Sequence, residues 1–229
     1  MILTRLLNRL SRVVFEHRTY RRCALDRWLR ARRPLLHGRV LDVGSKRSAG
    51  KGLFRMQEGP GDRWFSLDIN PAGAPDVLAF AEHLPFPAEC FDAIVCSEVL
   101  EHVAGPQAML RELYRALKPG GRLLLSTPFM YPVHGDPYDY QRLTATRLRQ
   151  LLAPYRRVEI EISGYFPSIM GDVLRRALHG TSRRYAYKYL FYPLLPVVFL
   201  LVQCERWAFF RRLYGWEDTI SGYMITVMK

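Results

Sequence analysis

The chain has 229 residues, enough for one or two folded domains, and its apolar content of 49% is too high for a disordered protein. The formal net charge of +13 is unevenly placed: residues 1–39 carry 11 basic and 2 acidic side chains, residues 40–140 carry 9 and 13, and residues 141–229 carry 14 and 6. These numbers predict a mildly acidic core between two basic flanks. Basic flanks indicate an anionic partner, such as phospholipid head groups, nucleic acid or a phosphorylated substrate.

The four cysteines favour a reducing compartment. Their spacing fits neither a metal-binding pair nor a disulfide framework, and we predict no metal site from the sequence. The cysteines are Cys23, Cys90, Cys96 and Cys204.

Residues 1–38 predict a basic amphipathic helical region. Apolar residues such as Leu3, Leu6, Leu7 and Leu10 recur at helical spacing, with arginines between them. Helices of this kind lie on anionic membrane surfaces. Two alternatives stay open: the apolar face packs on the protein's own domain, or the arginine-rich, acid-poor stretch is an organelle transit peptide.

From Arg39 onwards, short apolar strands alternate with helices. Residues 118–121, Lys-Pro-Gly-Gly, are expected to stop the first of these helices. Alternation of this kind predicts a parallel, doubly wound α/β sheet. The strands are predicted at 40–43, 64–69, 93–96, 122–127 and 158–162, and the helices at 107–117 and 144–152, with Thr144 as an N-cap.

Residues 220–229 predict a final strand, and residues 163–218 form an insertion before it. Within the insertion, the uncharged run of 14 residues at 189–202 is interrupted by two prolines. It is also shorter than the about 20 apolar residues that a membrane span needs. With arginines on both sides, the run predicts an interfacial or re-entrant element that docks on a membrane. The alternative is a buried helical hairpin that caps the domain.

The residues that suggest chemistry lie where the predicted strands end. The first strand ends in Asp42-Val43-Gly44, and the glycine allows the backbone to approach a ligand. The second strand ends near Asp68, an acid suited to accept both hydroxyls of a ribose. Ligands of open α/β sheets bind outside the carboxyl ends of the strands, so the two ends together predict a nucleotide-type site.

Further motifs follow in order at 81–87, 91–95, 97–103 and 117–123. Together with the two strand ends, they resemble the class I S-adenosylmethionine-dependent methyltransferases, in particular the type 11-like group. The resemblance covers residues 39–165 and the last strand. The segment from His134 to Thr144 is similar to bacterial members associated with surface-polysaccharide and glycolipid synthesis.

The resemblance implies a fold and a cofactor. The fold is a seven-stranded Rossmann-like α/β sheet whose last strand is antiparallel and forms a hairpin with the sixth. Residues 39–162 and 219–229 would form this methyltransferase domain, with the insertion inside the hairpin. The cofactor is S-adenosyl-L-methionine. The residues implied to bind it are Asp42, Gly44, Ser45, Lys46, Asp68, Ile69, Asn70, Phe80, Ala81, Glu82, Ser97, Glu98 and His102.

Two positions depart from the family's pattern. Lys46 stands where the family usually has a glycine, and Phe80 stands where it usually has an acid. Lys46 can attract the cofactor carboxylate, but its side chain narrows access to the backbone. Phe80 can pack on the adenine ring, but it cannot accept a hydrogen bond from the adenine amino group. A non-catalytic scaffold with a decayed site is therefore an alternative.

The loop at 127–144 predicts the acceptor side of the site, because it is dense in residue types that orient and deprotonate a hydroxyl. Methyl transfer from a sulfonium needs mainly alignment and desolvation, so no dedicated base is compulsory. A structural alternative is that Arg142 pairs with Asp139 and that His134 caps a loop. His102 is expected to have a structural hydrogen-bonding role beside the site. The candidate catalytic residues are His134, Asp136, Tyr138, Asp139 and Arg142.

The combined prediction is an enzyme that O-methylates a lipid-linked sugar, a glycolipid or another amphiphilic acceptor. It would be cytoplasmic and peripherally bound at the inner face of the membrane. One alternative is a small-molecule methyltransferase that acts on a quinone or a lipid. A nucleic-acid methyltransferase is disfavoured, because the Asn/Asp-Pro-Pro-Tyr/Phe motif of amino-group methylators is replaced by Thr127-Pro128-Phe129. The aliphatic runs in the basic flanks also favour lipid over a phosphate backbone.

Overall fold

The computed structural model describes residues 19–45, 54, 59–135, 137–179 and 193–229. Of the basic amphipathic helical region predicted for residues 1–38, the first 18 residues lie outside this part of the chain. The same holds for the first four residues of the insertion's uncharged run, 189–192, and for two predicted site residues, Lys46 and Asp136.

Seven strands form one sheet in the order β3-β2-β1-β4-β5-β7-β6. The first five strands pair in parallel, as β3 with β2, β2 with β1, β1 with β4, and β4 with β5. This confirms the predicted doubly wound α/β sheet. The strands are β1 (Arg39–Val43), β2 (Arg63–Asp68), β3 (Val77–Leu78), β4 (Phe91–Ser97), β5 (Leu117–Pro128), β6 (Arg157–Ile162) and β7 (Gly222–Met228).

The last strand runs antiparallel between β5 and β6, as predicted. On one side, the Lys229 N–H donates to the carbonyl of Gly121 at 3.1 Å, and the Gly120 N–H donates to the carbonyl of Lys229 at 3.0 Å. On the other side, the Arg156 N–H donates to the carbonyl of Met228 at 2.9 Å. The final strand therefore pairs on both of its edges.

The central strands are apolar because they are covered on both faces, as parallel strands with helical crossovers are. Four successive residues of β1 are buried, and five of β4. One face of the second helix, with Met109, Leu110 and Leu113, is buried as well. Replacing such a buried leucine by alanine typically costs about 2–5 kcal/mol. The helices are α1 (Tyr20–Ala31), α2 (Pro106–Ala116), α3 (Ala145–Leu151), α4 (Phe166–His179), α5 (Leu194–Cys204) and α6 (Ala208–Leu213).

Two of these helices were predicted from the sequence to within one residue at each end. In the second of them, the hydroxyl of Thr144 accepts the Arg147 N–H at 3.3 Å, which confirms the predicted N-cap. The short strand β3 was not predicted, because two residues are too few to show a pattern.

The Lys-Pro-Gly-Gly stretch does end α2, but the chain then enters β5 at once. Leu117 pairs with Phe91, whereas the next paired residue of β4, Ala93, lies opposite Arg122. The intervening residues form a bulge, in which Gly120 has φ +75°. The strand predicted at 122–127 was therefore shorter than β5. The bulge lies in the first part of β5, and its sequence does not show the apolar pattern by which a strand is recognised.

The described chain divides into two compact units. The sheet unit contains residues 25–129, 133–161 and 223–229, without those that the structure leaves undescribed. The insertion unit contains residues 19–24, 130–132 and the described part of 162–222. The domain boundaries expected from the sequence, 1–38, 39–162 with 219–229, and 163–218, stay a prediction.

Inside the insertion unit, α4 and α5 pack through a small apolar cluster that contains Tyr20, Val198, Phe199 and Val202. Tyr20 approaches the backbone of α4 closely at Gly171, where a Cβ would lie 2.3 Å from the Tyr20 ring.

Two buried acids of the insertion unit cap helix N-termini. Asp172 accepts the backbone N–H groups of Tyr20, at 2.5 Å, and Arg21, at 3.2 Å, where α1 begins. Glu205 accepts the backbone N–H of Ser168, at 3.0 Å, where α4 begins. Burial raises the pKa of Asp172 to about 6 and that of Glu205 to about 7. None of the helices within the described ranges is both long and apolar enough for a membrane span.

Candidate functional site

A cavity of about 690 Å³ lies at the carboxyl ends of β1, β2 and β4, within the sheet unit. Because β1 lies between β2 and β4, groups that follow the outer two strands flank the turn after β1. The cavity is where a ligand of an open α/β sheet is expected. Its lining includes the predicted residues Gly44, Asp68, Ile69, Asn70, Phe80, Ala81, Glu82, Glu98, His102 and Tyr138.

The turn after β1 brings the backbone close to the cavity. Gly44 has φ +68°, and its N–H donates to the carbonyl of Leu67 at 2.7 Å. A Cβ at this position would lie 2.4 Å from Cγ2 of Val99, so only glycine fits without a shift. Asp42 and Ser45 on either side are buried and are not among the residues that line the cavity.

The carboxylate of Asp68 is held at the cavity rim by the turn that follows β2. Its Oδ1 accepts the Asn70 N–H at 2.8 Å. The side chain of Asn70 in turn accepts the Ala72 N–H at 2.9 Å and caps the short 3₁₀ turn Pro71–Gly73. The local sequence thus fixes an acid at the end of β2, where it lines the cavity.

Phe80 is an exposed aromatic side chain on the cavity wall, with 62% of its surface accessible. The chain is tied to the end of β2 nearby, because the Ala79 N–H donates to the carbonyl of Asp68 at 3.2 Å. Ala81 is buried beside it, and Glu82 also lines the cavity. An exposed ring in this position can cover a flat ligand.

Glu98 follows β4 with φ +57°, a left-handed backbone that costs a residue other than glycine about 1–3 kcal/mol. Two hydrogen bonds to Ser126 on β5 hold it there. The Glu98 N–H donates to the Ser126 carbonyl at 3.0 Å, and the Ser126 hydroxyl donates to Glu98 Oε1 at 2.6 Å. The strained turn places a carboxylate in the cavity wall, whereas the preceding Ser97 is buried and is not among the lining residues.

The loop after β5 is fastened to the 3₁₀ turn Leu100–His102. The Tyr140 N–H donates to the carbonyl of Glu101 at 2.8 Å, and Gln141 Nε2 donates to the carbonyls of Leu100 and Val103 at 3.0 and 3.1 Å. These bonds set the side chains of Tyr138 and Tyr140 against the cavity, where both are exposed.

The predicted catalytic residues have different positions. Tyr138 lines the cavity, but His134, Asp139 and Arg142 are not among its lining residues. Arg142 makes two hydrogen bonds to the Asp139 carboxylate, one of them at 2.7 Å, and they hold the pKa of Asp139 well below its usual range. The backbone N–H of His134 also donates to Asp139, at 2.9 Å. This is the structural arrangement named above as an alternative, and the catalytic roles stay a prediction.

Sequence reasoning did not select four apolar or aromatic lining residues that come from the segments after β4 and β5. They sit within motifs already noted, but only the closeness of the two segments shows that they share one wall. The four residues are Val99, Val103, Ala104 and Tyr140.

Residues 50–125 match the family model described as a methyltransferase domain. A demethylmenaquinone methyltransferase from Mycobacterium tuberculosis is 38% identical over 117 residues, which cover 44% of this chain and 48% of that protein. A ubiquinone/menaquinone biosynthesis C-methyltransferase from Vibrio cholerae is 42% identical over 82 residues, which cover 34% of this chain and 31% of that protein. The chain thus spans less than half the length of these relatives.

Solved structures share the fold. A methyltransferase from Archaeoglobus fulgidus, described as dependent on S-adenosylmethionine, superposes with a TM-score of 0.56 at 17% identity, over 91% of this chain and 94% of that one. A phosphoethanolamine N-methyltransferase from Haemonchus contortus gives a TM-score of 0.51 at 16% identity, over 84% of this chain and 49% of that one. The matched domain and the strand order show that the chain contains a methyltransferase domain with the fold of the class I S-adenosylmethionine-dependent methyltransferases.

Proposed function

We propose that the protein transfers a methyl group from S-adenosylmethionine to a small amphiphilic acceptor of the quinone type at a membrane surface. The observation that carries the proposal is a single cavity that joins an acid at the end of β2, a glycine turn after β1 and an aromatic wall from the loop after β5. The first two features suit the cofactor, and the third suits a flat, apolar acceptor.

The residues present fit S-adenosylmethionine. The carboxylate of Asp68 would accept from the ribose hydroxyls, and Phe80 would cover the adenine ring. Gly44 lines the cavity, so its backbone could contact the cofactor, and Glu98 would attract the ammonium group of the methionine part. When bound, the cofactor supplies an electrophilic methyl group on a positively charged sulfur. The protein's own contribution is to align the acceptor and to exclude water.

The acceptor side favours a planar ring. Tyr138 and Tyr140 present exposed rings 5.7 Å apart between centroids, and such rings stack on aromatic ligands. The names of the two relatives quoted above refer to quinones, which supports a quinone acceptor for this chain.

A lipid-linked sugar is the second candidate, favoured by the density of polar residues in the loop after β5. A sugar site would use these groups to bind hydroxyls. In the structure, however, Arg142 and Asp139 hydrogen-bond to each other, and the backbone of His134 binds the same carboxylate. This saturation favours the quinone over the sugar.

The insertion unit has the surface of a membrane-docking element. Leu194, Val197 and Leu200 lie three residues apart on α5 and are 46–59% exposed, while the opposite face of the helix is buried. A helix that is apolar on both faces is at home in a core or against lipid. On and before α6, Trp207 and Phe209 are each 67% exposed.

Arginines accompany these apolar side chains. Arg206 and Arg212 are exposed, and the arginine-rich composition of the chain gives it a net charge of +13. Aromatic side chains together with arginines are typical of an interface with anionic lipid. We therefore propose that this face lies on an anionic bilayer, from which an amphiphilic acceptor would be drawn.

The cofactor part is tested by calorimetric titration of S-adenosylhomocysteine. Removing the two charge-assisted hydrogen bonds of the Asp68 carboxylate should cost about 3 kcal/mol, which is roughly a 100-fold loss of affinity in Asp68→Ala. Glu159→Ala, which removes an exposed carboxylate on β6, is the matched control and should bind like the wild type. Wild-type protein that fails to bind would rule out the proposal.

The acceptor part is tested with radiolabelled cofactor and anionic vesicles that contain either a reduced demethylated quinone or a lipid-linked sugar. We expect label in the quinone and little in the sugar; the reverse result would favour the second candidate. Flotation with the same vesicles tests docking. Trp207→Ser with Phe209→Ser should stay unbound, whereas Val133→Ser, an exposed apolar residue of the sheet unit, should float like the wild type.

A further inference from the structure

Three side chains with metal-binding groups converge beside the cavity wall. A carboxylate oxygen of Glu101 and one ring nitrogen each of His102 and His134 all lie within 4.8 Å of one another. We propose that these residues form a binding site for a divalent transition-metal ion. The sequence did not predict it, because His134 is 33 residues from Glu101 and no short metal motif links them.

The hydrogen bond of His102 leaves the correct nitrogen free for a metal. Its Nδ1 lies 2.5 Å from the carbonyl oxygen of Tyr138, and because a carbonyl only accepts, Nδ1 carries the proton. The lone pair of the neutral ring is then on Nε2, which lies 3.8 Å from Oε1 of Glu101. A backbone carbonyl that fixes the tautomer in this way is typical of histidine ligands.

His134 is supported in the corresponding way by a carboxylate. Its Nδ1 lies 3.5 Å from Oδ2 of Asp139, so a modest rotation of the ring completes a hydrogen bond and directs Nε2 away from the acid. Asp139 is itself held by Arg142. The His134 ring meets the His102 ring edge to face, with centroids 5.0 Å apart. Both imidazoles therefore have the outer partner that metal-binding histidines use.

Glu101 supplies the charge. Its side chain is fully buried, and it lies in the 3₁₀ turn Leu100–His102, whose position is fixed through the backbone. Arg142 contributes one positive charge nearby, but Asp139 neutralises it. Glu98 also acts on Arg142, and the resulting excess of negative charge suits a divalent cation better than a further anion.

Two imidazoles and one carboxylate are the donor set of catalytic zinc sites, and the same set with open positions binds Fe²⁺ and related ions. Metal–ligand bonds of about 2.0–2.2 Å require the three donor atoms to move closer than 4.8 Å. The side chain of His134 is 30% exposed and lies on a loop, so its ring has room to make this movement.

Three protein ligands leave at least one position on the ion open. His102 lines the cavity, so an oxygen of the acceptor could take that position, and the cation would then lower the pKa of that oxygen. This role rests on the proposed function, whereas the binding of the ion does not.

The test uses the full chain after treatment with a chelator and titrates it with Co²⁺, which gives visible absorption bands when bound by nitrogen and oxygen ligands. We expect one saturable site. His102→Ala and His134→Ala should each lower the Co²⁺ affinity by at least about 10- to 100-fold, because losing a direct ligand costs no less than losing a group that hydrogen-bonds to one. His37→Ala, which removes an exposed histidine of the sheet unit, should leave it unchanged.

Titration with S-adenosylhomocysteine on the same samples separates this inference from the proposed function. Retained cofactor binding without a saturable Co²⁺ site overturns the metal site and leaves the methyltransferase proposal intact. Unchanged Co²⁺ affinity in both histidine variants also overturns it. If His134→Ala fails to fold, His134→Gln keeps the size and polarity of the side chain and must still lose affinity.

Discussion

The turn after β1 offers a quantitative test of why a glycine stands at the centre of the site. In Gly44→Ala, the left-handed backbone at φ +68° should cost about 1–2 kcal/mol. The new Cβ would also lie 2.4 Å from Cγ2 of Val99, and relieving such overpacking typically costs about 1–3 kcal/mol more. We therefore expect Gly44→Ala to lower the free energy of unfolding by about 2–5 kcal/mol in total.

A matched pair of variants separates the two contributions. Gly61 has φ +83° and nothing within 4 Å of an added Cβ, so Gly61→Ala should lose only the backbone contribution. In Gly44→Ala with Val99→Ala the clash disappears, because Cβ of residue 99 lies 3.7 Å away. Relative to Gly44→Ala, this double variant should regain part of the free energy of unfolding of the sheet unit, measured in urea. It should also regain part of the affinity for S-adenosylhomocysteine. If the losses of Gly44→Ala and Val99→Ala alone add up to the loss of the double variant to within about 0.5 kcal/mol, the clash is refuted.

Three further predictions concern ionisation and capping. Because the native pKa of Glu205 is about 7 and its ordinary value is 4.5, the native state binds the proton more tightly, and stability of the insertion unit should fall as pH rises between these values. Glu205→Gln should remove this change in stability, which is on the order of 3 kcal/mol across the pH range. Hydrogen exchange of residues 166–178 measures it, and an unchanged pH slope in the variant would argue against a titrating Glu205. Arg142→Met leaves the carboxylate of Asp139, which is 3% exposed, without its main partner. It should destabilise the sheet unit by about 3 kcal/mol at neutral pH in urea unfolding, and the deficit should shrink below about pH 4, where the acid protonates in the unfolded chain; a deficit that is constant with pH would contradict the ion pair. Thr144→Ala should cost about 1 kcal/mol in the same assay, and the exposed Thr146→Ala, within the helix, much less; equal losses would exclude a capping role.

The part of the cavity that we propose binds the cofactor could be predicted, because its determinants are local. A buried strand that ends in an acid or a glycine places that residue at the sheet edge whatever the rest of the chain does. Gly44 and Asp68 are of this kind, and both border the cavity. The family resemblance of the motifs then implied a seven-stranded sheet with an antiparallel last strand, as the structure has it.

The rest of the site could not be predicted to the same depth, because it depends on contacts between distant segments. Nothing in the sequence around Glu98 shows that it adopts a left-handed backbone, which Ser126 on the next strand supports. The convergence of Glu101 with His134 likewise needs the loop after β5 to lie on the 3₁₀ turn after β4. The pair Asp139–Arg142, three residues apart, could be foreseen because it is local.

The way in which that loop is fastened bears on how an acceptor is chosen. In the hydrogen bonds described between this loop and the segment 100–103, Tyr138 and Tyr140 take part through their backbone, and His102 and Gln141 take part through their side chains. The position of the loop is therefore largely independent of which side chains stand at 138 and 140. Those two rings can be exchanged for others without moving the loop or the turn after β1, so the proposed acceptor side of the cavity can change while the proposed cofactor side stays as it is.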